Sequence, residues 1–161
     1  MATDRRSFLG IGGAAGVGVL LYGWPSSPAG AARFPLTRTA VEWRRILGPR
    51  RYAVLREGAT ERPFSSPLDK EHRKGTFVCA GCGRPLFNSA AKFESGTGWP
   101  SFWKPLPGAV VTRIDRSHMM VRTEVLCARC GGHLGHVFDD GPKPTGLRYC
   151  MNGLALRFRP A

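Results

Sequence analysis

The fold is decided by the stretch Met119-Met120-Val121-Arg122-Thr123-Glu124-Val125-Leu126-Cys127-Ala128-Arg129-Cys130-Gly131. Its first eight residues alternate, with mostly apolar odd-numbered positions and with Arg122 and Glu124 at even-numbered ones, as in a half-buried strand. A Cys-x-x-Cys pair follows at once, and the glycine after it permits a tight turn. The stretch therefore predicts a strand over residues 119–126 that ends at a ligand-bearing turn.

The chain beyond Gly75 has the same character, with short apolar runs, frequent Gly and Pro, and little helical periodicity. The two strands that flank residues 116–118 predict a hairpin. We expect a mainly β, largely antiparallel domain. Its candidate strands are residues 76–79, 85–88, 109–115, 119–126, 134–138, 148–151 and 154–158.

Two short helices are expected before the β region. Thr39 and Glu42 have the spacing of a capping box, and Gly48 ends the first helix. Pro49 then opens a second helix that extends to about residue 57. The predicted buried face of the first helix comprises Trp43, Ile46 and Leu47.

Residues 1–32 have the pattern of a twin-arginine export signal. Arg5 and Arg6 precede a weakly apolar run rich in Gly and Ala, and small residues permit cleavage after Ala31 or Ala32. The run is short for a membrane span, and an uncleaved N-terminal anchor is the alternative. We expect residues 33–38 to be a linker and residues 39–161 to form an exported, periplasmic or otherwise extracytoplasmic domain.

Length and charge exclude some classes of protein. The 161 residues suit one domain and are too few for a membrane transporter. The formal charge is +13, from 24 Lys and Arg against 11 Asp and Glu. These basic residues are scattered, with no long Lys/Arg run or RNA-binding aromatic signature, so no nucleic-acid partner is expected.

Four of the five cysteines form two matched pairs, Cys79/Cys82 and Cys127/Cys130, each followed by glycine. Four thiolates in two such turns fit one structural, tetrahedral zinc ion per chain. Residues 83–126 are a longer interval than a usual zinc ribbon has, so inserted structure is expected between the turns. Redox disulfides are the alternative in an oxidising compartment.

Cys150 has no partner in this pattern. In an extended segment, Arg148, Cys150 and Asn152 project to one side, which places a cation and an amide beside the thiol. The alternative is a buried structural cysteine, since a free thiol packs as a small hydrophobe.

Two further stretches offer groups for a pocket at this thiol. A glycine-containing loop at residues 95–98 leads into an aromatic cluster that begins at Trp99. His133 and His136 are three residues apart and flanked by glycines. In a regular strand they would face opposite sides, so a shared pocket requires a bulge or a bend. A core tryptophan and structural histidines are the alternatives.

Together these motifs resemble the B-type methionine-R-sulfoxide reductases, or peptide-methionine (R)-S-oxide reductases, over about residues 43–158. The resemblance implies two antiparallel sheets in a so-called β-tent, with a distal structural zinc. It also implies a monomer that reduces the R epimer of methionine sulfoxide with a thioredoxin-like reductant. The matching stretches are both cysteine pairs, Thr60-Glu61-Arg62-Pro63-Phe64, Ser95-Gly96-Thr97-Gly98-Trp99-Pro100-Ser101-Phe102, His133-Leu134-Gly135-His136-Val137-Phe138 and Arg148-Tyr149-Cys150-Met151-Asn152.

The resemblance assigns the catalytic roles. It makes Cys150 the nucleophile and His136 the acid, with His133 assisting and Asn152 hydrogen-bonding in the pocket. A thiolate attacks the sulfoxide sulfur only if the oxygen is protonated, so a cysteine and an acid are the minimum requirement. The products are methionine and a sulfenic acid on Cys150.

The resemblance also assigns substrate-binding roles. Trp99 takes the methyl group of the substrate, and Phe102 walls the pocket. Arg148 and Asp140 hold the polar network and favour the thiolate. In an exported enzyme the substrates are oxidised methionine residues of exported proteins, and the resemblance leaves open whether free methionine sulfoxide is also reduced.

The sequence departs from the family pattern at two positions. Many family members carry a resolving cysteine in the loop where this chain has Thr97. We therefore expect external thiols to recycle Cys150, and the alternative is a cysteine borrowed from the zinc pairs. Gly153 stands where a serine is common, with little consequence expected. The alternative from another class is a non-catalytic, zinc-stabilised β-tent binding module.

Overall fold

The structure is a computed structural model and describes residues 34–161. The predicted export signal over residues 1–32 lies outside these residues. Among the helices that are described, none is both long and apolar enough to cross a membrane.

Helix α1, Ala40–Glu57, is interrupted at Gly48. The capping box is confirmed, because the Thr39 side chain accepts the backbone N–H of Glu42 and the Glu42 carboxylate accepts the N–H of Thr39. Gly48 has a positive φ of 67°, which breaks the helix before Pro49 as predicted. The predicted inner face is wrong at Ile46, which is 39% exposed.

Within residues 34–161, nine strands form two antiparallel sheets, which confirms the predicted mainly β fold. One sheet has the order β2-β1-β9 and the other the order β3-β4-β8-β7-β6-β5. The strands are β1 (Gly75–Cys79), β2 (Pro85–Asn88), β3 (Lys92–Phe93), β4 (Ser101–Phe102), β5 (Val110–Asp115), β6 (Arg122–Cys127), β7 (His133–Phe138), β8 (Arg148–Met151) and β9 (Leu156–Pro160).

The predicted strands differ from the observed ones mainly in where they begin. The hairpin between β5 and β6 is confirmed, with Asp115 opposite Arg122. The strand predicted from residue 119 begins only at Arg122, because His118 and Met119 have positive φ values of 53° and 56° in a short 3₁₀ turn. Met119 is 103% exposed and Val121 68% exposed, so the apolar alternation there does not report a buried face.

The core contains an aromatic cluster of Phe77, Phe87 and Phe102, to which both sheets contribute. Phe102 stacks on Phe87 with ring centroids 4.3 Å apart and meets Phe77 edge-on at 4.9 Å. Trp43 and Leu55 of α1 belong to the same core. Removing such aromatic surface from water supplies much of the driving force that holds the two sheets and the helix together.

Candidate active site

A hollow of about 130 Å³ surrounds the Cys150 thiol, and we call it the Cys150 pocket. Strands β7 and β8 place its central residues, because His136 lies directly opposite Cys150 in their antiparallel register. The residues that line the pocket include Trp99, Arg122, His136, Phe138, Cys150 and Asn152. The pocket therefore brings together the predicted nucleophile, the predicted acid and the predicted tryptophan.

The Cys150 thiol is partly buried and lines this pocket. Burial raises its pKa above the usual value, while the Thr97 hydroxyl and the Arg148 guanidinium act in the opposite direction. The predicted influence of Arg148 toward the thiolate is present, but the cost of burying a charge outweighs it. At neutral pH the resting thiol is therefore protonated, and it must lose its proton to act as a nucleophile.

His136 is held by a carboxylate. Its Nε2 lies 2.8 Å from Oδ2 of Asp115, which also accepts a hydrogen bond from Nη2 of Arg122 at 2.8 Å. Asp115 accepts the backbone N–H of Ser117 as well, and this bond together with its side-chain partners lowers the pKa of Asp115. Burial lowers the pKa of His136, and Asp115 opposes that shift.

His133 lies on the same side as His136 because β7 contains the predicted bulge. In the register with β6, Gly135 is opposite Val125 and His133 opposite Leu126, so Leu134 is an extra residue. The two imidazole centroids are 5.5 Å apart.

The carboxylate partner of His133 is Glu124. Nδ1 of His133 lies 2.7 Å from Oε1 of Glu124, which is also paired with Arg113. His133 lines a neighbouring hollow of about 270 Å³ rather than the Cys150 pocket, and His136 borders both. His133 is thus placed to act on Cys150 chemistry through His136.

Asn152 is buried and fixed by two hydrogen bonds. Its Oδ1 accepts the backbone N–H of Glu61 at 3.0 Å, and its Nδ2 donates to the carbonyl of Leu134 at 3.3 Å. The Glu61 carbonyl also accepts from Nε1 of Trp99 at 3.1 Å. Backbone groups of Glu61 therefore connect the pocket-lining Trp99 to the buried amide of Asn152.

The Glu61 carboxylate is buried and accepts the backbone N–H groups of Gly153 and Leu154. Burial raises its pKa, and these N–H groups oppose the shift. The sequence predicts no individual role for Glu61, although this residue belongs to one of the matching stretches. A buried acid next to Arg62 and Pro63 in a loop is a weak signal, so only the fold reveals its partners.

Arg148 and Asp140 form an ion pair. The guanidinium donates two hydrogen bonds of 2.8 Å to the two carboxylate oxygens, and it stacks 4.5 Å from the ring centroid of Phe138. Asp140 is exposed and does not line the Cys150 pocket. It therefore acts on the pocket only by orienting Arg148.

Phe102 does not wall the pocket as predicted. Its side chain is 0% exposed and stacks on Phe87 in the core. Its neighbour in the chain, Ser101, is opposite Cys150 in the register of β4 and β8, and successive residues of a strand point to opposite faces. Phe138 lines the pocket instead, together with Trp99.

Gly153 has no space for a side chain. A Cβ atom at this position would lie 1.9 Å from Oγ of Ser66. The Ser66 side chain fills the space that a serine at position 153 would need.

The four paired cysteines form a second cluster, of which Cys150 is not a member. Their sulfur atoms all lie within 4.8 Å of one another, with 3.8 Å between Cys79 and Cys130 and 3.6 Å between Cys82 and Cys127. Tetrahedral zinc with bonds of about 2.3 Å places its sulfur ligands about 3.8 Å apart. The four thiols are therefore positioned to bind one metal ion, and they fit zinc.

The cluster of four cysteines lies where the two sheets meet. Cys79 ends β1 of the three-stranded sheet, and Cys127 ends β6 of the six-stranded sheet. Each pair is closed by the same turn, in which the N–H of Gly83 or Gly131 donates to the first cysteine carbonyl at 2.8 Å. Both glycines have positive φ, as this turn requires.

Comparison with known proteins identifies the family of this chain. The SelR domain family matches residues 47–160. A peptide methionine sulfoxide reductase MsrB from Bradyrhizobium diazoefficiens is 63% identical over 123 residues, which cover 74% of this chain and 86% of the relative. Proteins of the same name from Thiobacillus denitrificans and Leptospira interrogans are 56% and 51% identical, covering 76% and 78% of this chain and 94% and 97% of those relatives.

These findings define an oxidoreductase that acts on methionine sulfoxide, and they set aside the alternative of a non-catalytic binding module. The chain belongs to the SelR-domain family of MsrB enzymes, the peptide-methionine (R)-S-oxide reductases.

Proposed function

We propose that the enzyme reduces the R epimer of methionine sulfoxide through direct attack of the Cys150 sulfur on the sulfoxide sulfur. The observation that carries this mechanism is the placement of Cys150 and His136 opposite each other in one pocket with Trp99. The sulfoxide oxygen passes to Cys150 as the sulfur–oxygen bond of the substrate breaks. Methionine leaves, and Cys150 is left as a sulfenic acid.

The pocket has an apolar side and a polar side. Trp99 and Phe138 offer ring surface for the methyl group, while His136 and Asn152 offer polar groups for the oxygen. A methyl group and an oxygen cannot exchange places without leaving a polar group unpaired. This difference supports selection of one sulfoxide epimer.

His136 supplies the proton that the sulfoxide oxygen needs as negative charge builds on it. Asp115 favours the protonated imidazole by its charge, and burial disfavours it. The proton that the Cys150 thiol loses balances the one that the oxygen gains. His133, held by Glu124, supports the orientation of His136.

External thiols return the sulfenic acid to the thiol. A first thiol displaces water to form a mixed disulfide with Cys150, and a second thiol releases Cys150 as the reductant is oxidised. The four other cysteines belong to the metal cluster, which supports a thioredoxin-like protein rather than an internal thiol as reductant.

The metal in the cysteine cluster is zinc, and it stabilises the fold by linking the two sheets. Purified protein is expected to contain one zinc per chain, and Cys82→Ser is expected to lose zinc and to lower the midpoint of thermal unfolding. Metal analysis by plasma mass spectrometry checks this, with Cys150→Ser as a control that keeps its zinc. Zinc-free wild-type protein prepared under reducing conditions would refute the assignment.

The enzyme is exported by the twin-arginine route and repairs methionine residues of exported proteins. The Arg5-Arg6 pattern supports this. Cell fractionation tests it, because Arg5→Lys/Arg6→Lys is expected to leave the protein in the cytoplasm. Equal export of both forms would refute it.

The catalytic proposal is tested with blocked R and S methionine sulfoxide and dithiothreitol. Wild type is expected to reduce only the R epimer, and Cys150→Ser is expected to reduce neither at a measurable rate. A sulfenic-acid probe should label wild type at Cys150 after one equivalent of substrate. Unchanged activity of Cys150→Ser would overturn the mechanism.

A further inference from the structure

A row of arginines leads away from the Cys150 pocket along two adjoining hollows. Thr60 borders both the Cys150 pocket and a hollow of about 300 Å³ that contains Arg50 and Arg62. This hollow shares Arg50 with a larger one of about 540 Å³, which contains Arg51 and Arg157. We call the two hollows with these four arginines the arginine groove.

Arginines outnumber carboxylates in the lining of the two hollows. Among residues 34–161, Arg50, Arg51, Arg62 and Arg157 form no ion pair.

The carboxylates in the walls of the groove are already engaged. Glu71 is bonded to Arg73 at 2.9 Å and 2.6 Å, and the buried Glu61 accepts two backbone N–H groups. Because Arg73 balances Glu71, the other four arginines exceed the one remaining carboxylate, and the groove carries a net positive charge.

Two of these arginines repel each other. The pKa of Arg51 is lowered by partial burial and further by the charge of Arg157. A guanidinium matches carboxylate oxygens with paired hydrogen bonds, so an anionic ligand would offset both effects.

The walls of the groove are apolar between the arginines. Leu154, Leu156, Phe158 and Pro67 line the larger hollow, whose volume lies in the range typical of ligand-binding clefts. The groove therefore suits a ligand that combines acidic groups with apolar surface. A polypeptide segment has both.

A polypeptide substrate must extend from the Cys150 pocket over the surface of the protein. A methionine sulfoxide residue occupies the pocket only with its side chain, so the polypeptide on either side of it crosses the rim. Thr60 is the rim residue that the pocket shares with the arginine groove. We propose that the arginine groove binds an acidic segment of the polypeptide substrate on one side of the oxidised methionine.

This inference rests on the proposed function, because the segment is positioned by the methionine sulfoxide at Cys150. The test uses blocked peptides of equal length with one central R-methionine sulfoxide. One peptide carries glutamates on the N-terminal side, another carries them on the C-terminal side, and a third carries glutamine at all those positions. A blocked single methionine sulfoxide is assayed on every variant to normalise the values.

One glutamate peptide is expected to show a kcat/KM about fivefold above that of the glutamine peptide at low ionic strength, since exposed ion pairs contribute modest energies that add along a segment. Salt is expected to reduce this preference. Arg51→Gln/Arg157→Gln is expected to abolish most of it.

The matched control is Arg45→Gln/Arg116→Gln, which removes the same charge at exposed positions outside the groove. This control is expected to keep the preference. Equal kcat/KM for all three peptides, or equal losses in both double variants, would overturn the inference. Failure to reduce even the blocked single methionine sulfoxide would instead overturn the proposed function.

Discussion

The Thr97 hydroxyl lies 3.8 Å from the Cys150 sulfur. The side chain at position 97 is thus in contact with the proposed nucleophile. Thr97 thus lies next to Cys150 but offers a hydroxyl group, which cannot form a disulfide. A cysteine at position 97 would therefore place a second thiol within reach of Cys150.

Thr97→Cys is expected to form a disulfide with Cys150 after one equivalent of substrate. A sulfur at this position needs only a small side-chain movement to reach bonding distance, and a nearby thiol attacks a sulfenic acid rapidly. Mass spectrometry of digested, unreduced protein detects the bridge.

Wild type treated in the same way is expected to keep a free sulfenic acid, and Thr97→Ser is the control without a thiol. A quantitative bridge between Cys150 and a zinc-cluster cysteine in wild type would contradict the external route of recycling.

Arg148→Gln is expected to raise the pKa of Cys150 further. Burial already raises this pKa, and the Arg148 charge is one of the groups that oppose the rise. The rate of Cys150 alkylation by iodoacetamide increases as the thiol loses its proton, so its midpoint should move to higher pH. Arg116→Gln removes an exposed arginine as the control. An unchanged midpoint in Arg148→Gln would show that this guanidinium does not act on the thiol.

Asp115→Asn is expected to lower the pKa of His136, because the substitution removes the carboxylate that opposes the effect of burial in the wild type. If protonated His136 is the acid, activity falls as pH rises through this pKa. The fall should therefore begin at lower pH in the variant. At higher pH the rate should drop about tenfold for each pH unit by which the pKa of His136 is lowered.

The measurement for Asp115→Asn is the pH profile of kcat/KM, with NMR titration of the His136 ring. Asp139→Asn, an exposed neighbour of the motif, serves as the control. Movement of the profile to higher pH would contradict the role of Asp115.

Glu61→Gln is expected to lower both stability and activity. The carboxylate accepts two backbone N–H groups, and glutamine retains only one acceptor and turns its amide toward the other N–H. An unsatisfied buried donor costs about 1–3 kcal/mol, which urea denaturation of the zinc-loaded protein can measure. The accompanying movement of Asn152 and Trp99 should lower kcat/KM.

Glu71→Gln is the matched control for Glu61→Gln, because Glu71 pairs with an exposed arginine at the surface. A solvent-exposed pair of this kind contributes little to stability. Equal losses in the two variants would contradict the special role of Glu61.

The sequence predicts most strands because their signals are local. The capping box at Thr39, the break at Gly48 and the strand over Arg148–Met151 all depend on neighbouring residues, and the structure confirms them. The two-residue strands β3 and β4 have no such signal, since tertiary contacts alone define them. The predicted strand wrongly includes the exposed Met119 and Met120, which precede β6. Alternation of apolar residues does not distinguish a buried face from an exposed one.

The site was predicted where a residue type itself carries the chemistry, as for Cys150, His136 and Trp99. It was missed where the role depends on a partner distant in sequence. Glu61 reaches the turn after Asn152 across about ninety residues, and Asp115 reaches His136 from another strand. The resemblance places Phe102 in the pocket and gives no role to Phe138, because only the orientation of each side chain on its strand distinguishes core from pocket.

The extra residue in β7 makes the active site depend on residue count as well as residue identity. If all six residues of β7 formed a regular ladder with β6, His133 and His136 would face opposite sides of the sheet, although no catalytic side chain would be changed. Gly135, next to the bulge, has no space for a side chain, because a Cβ there would lie 2.1 Å from the Cys150 carbonyl oxygen. The catalytic arrangement therefore depends on where the extra residue lies in β7 as well as on which residues the strand contains.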